Sequence, residues 1–253
     1  MNKYAVITGA SSGIGKEFAI ILANQGYKLV LVARRFKRLK QLADNLNVEC
    51  LIVEADLQKQ EDCLALMEKI KDLDVEIFIN NAGFGLSGNF SDIDLNDELM
   101  MIDLNVKALH LLTKLMLAKM EKNKHGYILN VGSVAGLMPA GPHMATYYAS
   151  KSYVTSLTQG IARELKEQHS QVHLSCLCPG PVDTEFNDVA KVKFALKGID
   201  ANYCACYALK KMKQGKVVII PTVKMKVAMT LGRYLPNALY IKIASFQQKK
   251  KQE

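Results

Sequence analysis

An apolar run at residues 4–7 leads directly into Thr8-Gly9-Ala10-Ser11-Ser12-Gly13-Ile14-Gly15, and an amphipathic stretch follows over residues 14–24. A strand that turns on three glycines into a helix restricts the fold severely. Glycine adopts backbone angles other residues avoid and lets the main chain approach a ligand closely. The helix start beyond it offers unpaired N–H groups and a positive dipole end, which suits a pyrophosphate. A tight turn without a ligand would use the same residues, but a strand before and a helix after favour a phosphate loop.

The rest of the chain repeats this alternation. Further strand-like runs fall at 29–32, 51–53, 75–79, 127–131, 172–178 and 217–220, with helical spacing at 14–24, 39–46, 63–70, 104–120 and 153–165. Alternating strands and helices imply parallel pairing with right-handed crossovers. The near-continuous apolar run Val217-Val218-Ile219-Ile220 suits a sheet covered on both faces. The expected fold is α/β: a doubly wound, mostly parallel seven-stranded sheet with helices on both faces. Residues 1–221 are expected to form its single domain, and 222–253 a basic helical extension.

Charge and cysteine narrow the function classes. Of the 253 residues, 1–184 carry 19 basic and 20 acidic side chains, and 185–253 carry 14 and 4. With the positive excess confined to one end, no basic stripe can cross the body, which argues against a nucleic-acid binder. No apolar run is long enough to span a bilayer, and the first residues lack the pattern of a secretory signal, so a cytoplasmic chain is expected. The six cysteines then read as reduced thiols. Cys176 and Cys178 share a strand face, Cys204 and Cys206 diverge on a helix, and no histidine completes a zinc spacing, so no metal site is expected.

The loop spacing G-x-x-x-G-x-G resembles the cofactor loop of the short-chain dehydrogenase/reductase family, whose fold is Rossmann-type. The resemblance implies that Gly9, Ser11, Ser12, Gly13, Ile14 and Gly15 hold the cofactor diphosphate. About twenty residues on, where a free ribose 2′-hydroxyl usually meets a carboxylate, the chain has Ala33-Arg34-Arg35 and no acid between Lys28 and Asp44. A guanidinium pairs with a phosphate through a planar fork, so NADP(H) is expected, with Arg34 as first choice and Arg35 as second. The alternative is a basic run that opens a solvated helix. In similar proteins the acid of Asp56-Leu57 and the next backbone N–H hold the adenine; Asp56 as cap of a helix over 57–70 is the plainer reading. Asn80-Asn81-Ala82-Gly83 matches the family motif behind the cofactor ribose, and also reads as a simple turn after a strand.

Tyr147-Tyr148-Ala149-Ser150-Lys151 is the sharpest signal. Residues four apart share a helix face, which pairs Tyr147 with Lys151 and leaves Tyr148 out of register. An ammonium near a phenol is expected to lower its pKa from about 10. Ser133 lies fourteen residues before Tyr147, close to the family spacing. The resemblance makes Ser133 the holder of the substrate oxygen, Tyr147 the acid/base and Lys151 its partner. Asn105, in Asp103-Leu104-Asn105-Val106, matches the asparagine that holds a water against the lysine in such enzymes. Pro179-Gly180-Pro181-Val182-Asp183-Thr184 resembles the segment whose backbone, at Pro179, Gly180 and Val182, holds the carboxamide, with Thr184 near the diphosphate. The implied activity is NADPH-dependent reduction of a lipophilic ketone or aldehyde. A reductase-like module that binds NADP(H) without turnover is the competing class.

Residues 185–216 fall where the family carries its substrate lid. Phe186, Val189, Val192, Phe194 and Leu196 are candidate lining, with Phe84, Leu86, Leu137 and Met138. Residues 222–235 read as an amphipathic helix, with Lys226, Thr230 and Arg233 on one face and Val223, Val227, Leu231 and Leu235 on another. Pro236 ends it, and Asn237 is a candidate cap for a second helix through Phe246. The extension is similar to a subgroup of bacterial reductases with long C-termini. It puts the usual tetramer packing in doubt, leaving a homodimer or homotetramer expected. Three readings stay open for it: ordinary packed helices, contact with an anionic membrane surface, and a dimer contact.

Overall fold

The computed structural model describes residues 3–186 and 198–249. Seven parallel strands form one sheet in the order β3-β2-β1-β4-β5-β6-β7. They are β1 (Tyr4–Thr8), β2 (Lys28–Ala33), β3 (Cys50–Glu54), β4 (Val75–Asn80), β5 (Gly126–Val131), β6 (Val172–Leu177) and β7 (Val218–Ile219). The order reverses between β1 and β4, and there the loops beyond the strands' carboxyl ends open a crevice.

Both faces of the sheet are buried because successive side chains point opposite ways. Ala5, Ile7, Leu29 and Leu31 pack with Phe18 and Leu22 of α1 (Gly13–Asn24), Leu39 of α2 (Phe36–Asp44) and Cys204 and Leu209 of a later helix. Val6, Val30 and Phe78 face the other way, onto Leu66 of α3 (Gln60–Lys69) and Met116 of a longer helix.

Several elements differ from the sequence reading. Asp94 accepts the Asn96 N–H at 2.8 Å and starts a short helix, α4 (Leu95–Ile102). The helix expected over 104–120 begins as a π-helical turn (Asp103–Ala108) and only then becomes α5 (Leu109–Asn123). And α3 begins at Gln60, with Lys59 at its cap position. Asp56 is therefore not that cap; its carboxylate accepts the Gln58 N–H at 3.3 Å.

A 3₁₀ turn (Val134–Leu137) leads to α6 (Ala145–Glu167). Beyond the sheet crevice come α7 (Ala201–Lys213), then α8 (Val223–Gly232) and α9 (Asn237–Lys249). Thr222 caps α8 by accepting the Met225 N–H at 3.3 Å. Asn237 is the first residue of α9, not its cap: the bond closing the first turn runs from the Tyr240 N–H to the Pro236 carbonyl, at 3.0 Å. The two helices close on each other at Gly232, where a Cβ would lie 2.6 Å from the Tyr240 ring. Among the described residues no helix is long and apolar enough to cross a membrane.

Candidate active site

The glycine loop is locked to the end of β4. The Thr8 hydroxyl accepts the Asn81 and Ala82 N–H groups at 2.9 and 3.0 Å, and the Asn81 amide donates to the Thr8 carbonyl at 2.9 Å. Gly9 has φ +66°, and a Cβ there would stand 2.8 Å from the Asn81 side chain. At Gly15 a Cβ would stand 2.3 Å from the Gly9 carbonyl oxygen. These contacts hold the loop open as a bare backbone cradle at the start of α1, which fits a diphosphate.

Arg35, at the start of α2, folds back over this loop. Its guanidinium donates to the Ser11 hydroxyl at 3.1 Å, to Ser12 at 2.8 Å and to Glu185 at 2.9 Å. Glu185 also accepts from Arg38 at 2.6 Å, and the two arginines hold its carboxyl below the usual range. Arg34 is exposed and lines the same cavity. The structure thus sets the second-choice arginine, rather than the first, directly on the loop serines.

Ser133, at the end of β5, starts the 3₁₀ turn by accepting the Ala135 N–H at 3.1 Å. That turn packs closely on α6: a Cβ at Gly136 would lie 2.2 Å from the Lys151 carbonyl oxygen. The Ser133 side chain acts on the Tyr147 hydroxyl in the direction that favours its phenolate. Tyr147 and Lys151 are 8% and 5% exposed, so this chemistry sits in a nearly dry wall. Lys151 donates from Nζ to the Val131 carbonyl at 3.0 Å and lies 5.9 Å from the Tyr147 ring centre.

Burial dominates both titrations. It pushes the Tyr147 phenol up to about 12, against the Ser133 side chain, which favours the phenolate. It pulls Lys151 down to about 8, against the buried thiols of Cys176 and Cys178. The lowered tyrosine pKa expected from the sequence is corrected here: removing the phenolate from water costs more than its neighbours return.

Asn105 sits in the π-helical turn, fully buried. Its amide donates to the Phe84 carbonyl at 2.8 Å and to Ser150 at 3.3 Å, and its oxygen accepts the Phe84 N–H at 3.1 Å. A Cβ at Gly83 would meet Asn105 Oδ1 at 2.8 Å and Lys151 Nζ at 3.4 Å, so both flank that glycine. Behind them Asn80, Thr113, Asn130 and Thr158 form a buried hydrogen-bonded chain.

All these loops open on one cavity of about 1300 Å³. Its wall includes Gly9, Ser11, Ser12, Gly13, Ile14, Arg34 and Arg35 from the first two loops, then Asp56, Leu57, Asn81, Ala82 and Gly83. Ser133, Tyr147, Lys151, Pro179, Gly180, Val182 and Thr184 complete it. Gly15 and Asn105 stand behind the wall, as their packing dictates. Phe84, Met138 and Phe186 line the cavity; Leu86 packs with them, and Leu137 faces another cluster. Val189, Val192, Phe194 and Leu196 lie outside the described residues.

Sequence reasoning missed a large part of the lining. Met144 and Tyr148 contribute, as do Met225, Met229, Tyr240 and Ile243 of the C-terminal helices. The Gln248 amide hydrogen-bonds the Tyr148 hydroxyl, tying α9 to the residue beside Tyr147. The apolar spacing of 222–235 announced a helix, but nothing local to it announced the cavity.

A short chain dehydrogenase family profile matches residues 3–193. An uncharacterized oxidoreductase of Staphylococcus epidermidis is 35% identical over 189 residues, covering 74% of this chain and 80% of that protein. A short-chain dehydrogenase from Sphingobium yanoikuyae, solved with NADPH, superposes with a TM-score of 0.81 at 29% identity, covering 94% of this chain and 98% of its own. One from Burkholderia phymatum, solved with NAD, gives 0.83 at 26% identity, covering 92% and 93%. The chain belongs to the short-chain dehydrogenase family. It is an oxidoreductase that works with a nicotinamide cofactor.

Proposed function

We propose that this chain is an NADPH-dependent reductase of lipophilic ketones or aldehydes. One observation carries the reading: Ser133, Tyr147 and Lys151 open on the same cavity as the glycine loop and Arg35. The loop residues and Thr184 would hold the diphosphate, Asp56 and Leu57 the adenine, and Asn81, Ala82 and Gly83 would back the ribose. Pro179, Gly180 and Val182 offer backbone to the carboxamide. Arg35 and Arg34 take the 2′-phosphate, since a guanidinium fork suits that dianion.

When bound there, NADPH would supply the hydride for the substrate carbonyl carbon. Tyr147, protonated well beyond neutral pH, gives its hydroxyl proton to the carbonyl oxygen. Ser133 holds that oxygen through its hydroxyl. Lys151 stabilises the phenolate left behind and, with Asn105 beside Gly83, relays the replacement proton. The methionine-rich wall at Met138, Met144, Met225 and Met229 favours an apolar substrate whose shape it can follow. In the same reading the enzyme works in the cytoplasm as a homodimer or homotetramer.

The test is cofactor consumption with a panel of medium-chain ketones, 3-oxoacyl thioesters, steroids and diketones, run with NADPH and NADH in parallel. At least one class is expected to turn over, with kcat/KM for NADPH at least about tenfold above NADH, about 1.4 kcal/mol for the phosphate contacts. Tight NADPH binding with no turnover of any class would favour the binding module instead.

A further inference from the structure

The C-terminal helices present their apolar row outward. Val223, Val227, Leu231 and Tyr234 are 73%, 50%, 63% and 84% exposed, and their spacing sets them along one stripe of α8 and its exit. Lys226, by contrast, turns inward: its Nζ donates to the Tyr207 hydroxyl at 2.6 Å and lies 5.1 Å from that ring's centre. A helix packed only for its own domain would do the reverse. Eight of the seventeen large apolar side chains exposed among the described residues fall within positions 223–246.

Charge decides what covers this face. Residues 222–253 hold Lys224, Lys226, Arg233, Lys242, Lys249, Lys250 and Lys251 against one acid, Glu253. A second copy would set these cations against their own kind, which costs association. A surface that accepts apolar side chains and supplies dense negative charge satisfies both features at once, and anionic lipid does so. The face is also continuous with the cavity, because Leu231, Leu235, Leu239 and Ile243 are exposed and line it as well.

We propose that α8 and α9 form a docking face for an anionic phospholipid surface, seated so that the cavity opens toward the bilayer. An apolar substrate then passes from lipid to Tyr147 without crossing open water. The docking goes beyond the reductase reading and does not depend on it.

The chain has no tryptophan, so Tyr234→Trp in the full-length protein is a reporter without background. It is mixed with vesicles of phosphatidylcholine alone, or with about one-third phosphatidylglycerol. The expected result is a blue-shifted emission and at least about tenfold more co-sedimentation with the anionic vesicles, falling as salt screens the lysines. A Val223→Glu/Val227→Glu pair is expected to remove at least about nine-tenths of the binding. Both sites are exposed, so its circular dichroism melt and its NADPH titration should match those of the parent.

No binding to anionic vesicles would overturn the proposal, as would binding that the glutamate pair leaves unchanged. A dimer in sedimentation velocity that this pair splits into monomers would also overturn it, by assigning the face to a second copy. None of these readouts uses turnover, so vesicle binding by a chain that reduces no ketone would sink the reductase reading alone.

Discussion

Lys151 aims its ammonium at the Val131 carbonyl, 3.0 Å away, while lying over the Tyr147 ring at 5.9 Å from its centre. The acid and its partner thus meet beside the strand-to-turn junction that presents Ser133, to which Lys151 is bonded. Their titrations are driven apart: the phenol rises to about 12 and the ammonium falls to about 8.

That separation sets the pH dependence. Tyr147 keeps its proton throughout the working range, so the acid itself does not limit reduction at moderately alkaline pH. Lys151 is charged below about 8 and neutral above it. Losing that charge removes the stabilisation of the phenolate that forms as the proton leaves. The kcat for ketone reduction, measured at saturating NADPH, should be level near neutrality and fall as pH rises through about 8. Lys151→Arg, charged throughout, should carry the fall to higher pH. A profile level to about pH 10, the range of a free lysine, would contradict this assignment.

The two adjacent tyrosines should separate cleanly. Tyr147→Phe removes the hydroxyl that gives up the proton and should lower kcat/KM for any reducible ketone by roughly 10²–10⁴-fold. Tyr148→Phe removes a hydroxyl bonded to Gln248. Its effect should stay within about tenfold and fall on KM, because that bond positions the cavity wall. Parallel melting curves check that both variants fold. Equal losses in kcat would undo the distinction drawn from helix spacing.

These contrasts show what was legible in the sequence and why. The strands, their parallel pairing and the residues after each strand end could be read, because a doubly wound sheet gathers its loops at one edge and periodicity marks each strand. Tyr147 and Lys151 were readable because helix geometry alone brings positions four apart together. Glu185 against Arg35 was not, since 150 residues separate them and only the crevice joins them. Nor was the outward turn of Val223 and Val227: periodicity shows that a helix has an apolar row but not which way the row faces. The tyrosine pKa was misread because spacing reports a nearby ammonium and says nothing of the dry wall around it.

Arg35 and Glu185 yield a prediction with two signs. Glu185 shares the guanidinium that would receive a 2′-phosphate. The pair is almost half exposed on both sides, and such ion pairs contribute roughly 0–1 kcal/mol. A phosphate should therefore displace the carboxylate readily. In fluorescence titrations, Glu185→Gln should tighten NADPH binding by up to about fivefold, with NADH little changed. Arg35→Gln should weaken NADPH by about tenfold or more and leave NADH nearly unaffected. If Arg34→Gln alone produces that loss, the first-choice arginine is the phosphate partner after all.

Gly15 tests the cradle without touching charge. Its Cβ position lies 2.3 Å from the Gly9 carbonyl oxygen, a backbone atom that cannot rotate away. Gly15→Ala should force the loop off its seat on Asn81, raising the cofactor Kd by at least about tenfold and costing roughly 1–3 kcal/mol of stability from overpacking. Gly160→Ala is the control, because nothing lies within 4 Å of its Cβ position and the site is in the middle of α6. It should be neutral or stabilising by up to about 1 kcal/mol, since alanine suits a helix interior better. A Gly15→Ala protein with unchanged melting and NADPH affinity would show that the loop has slack the structure denies.

The outer part of the cavity yields the last prediction. Met225 and Ile243 line it from the C-terminal helices, whereas Ser133 follows β5 and Tyr147 sits in the first turn of α6. Shortening both side chains removes apolar surface that only a long substrate can reach. Each fully buried side chain of this size is worth about 1.5–3 kcal/mol, so a ligand that covers part of both should lose roughly tenfold or more in affinity. In a Met225→Ala/Ile243→Ala protein, KM should rise by about that factor for medium-chain ketones and stay nearly constant for a three- or four-carbon ketone. The kcat should change little for either, because no group at the reacting carbonyl is altered. A uniform rise in KM across chain lengths would mean that these helices stabilise the fold rather than grip the substrate. A selective rise assigns chain-length recognition to the extension.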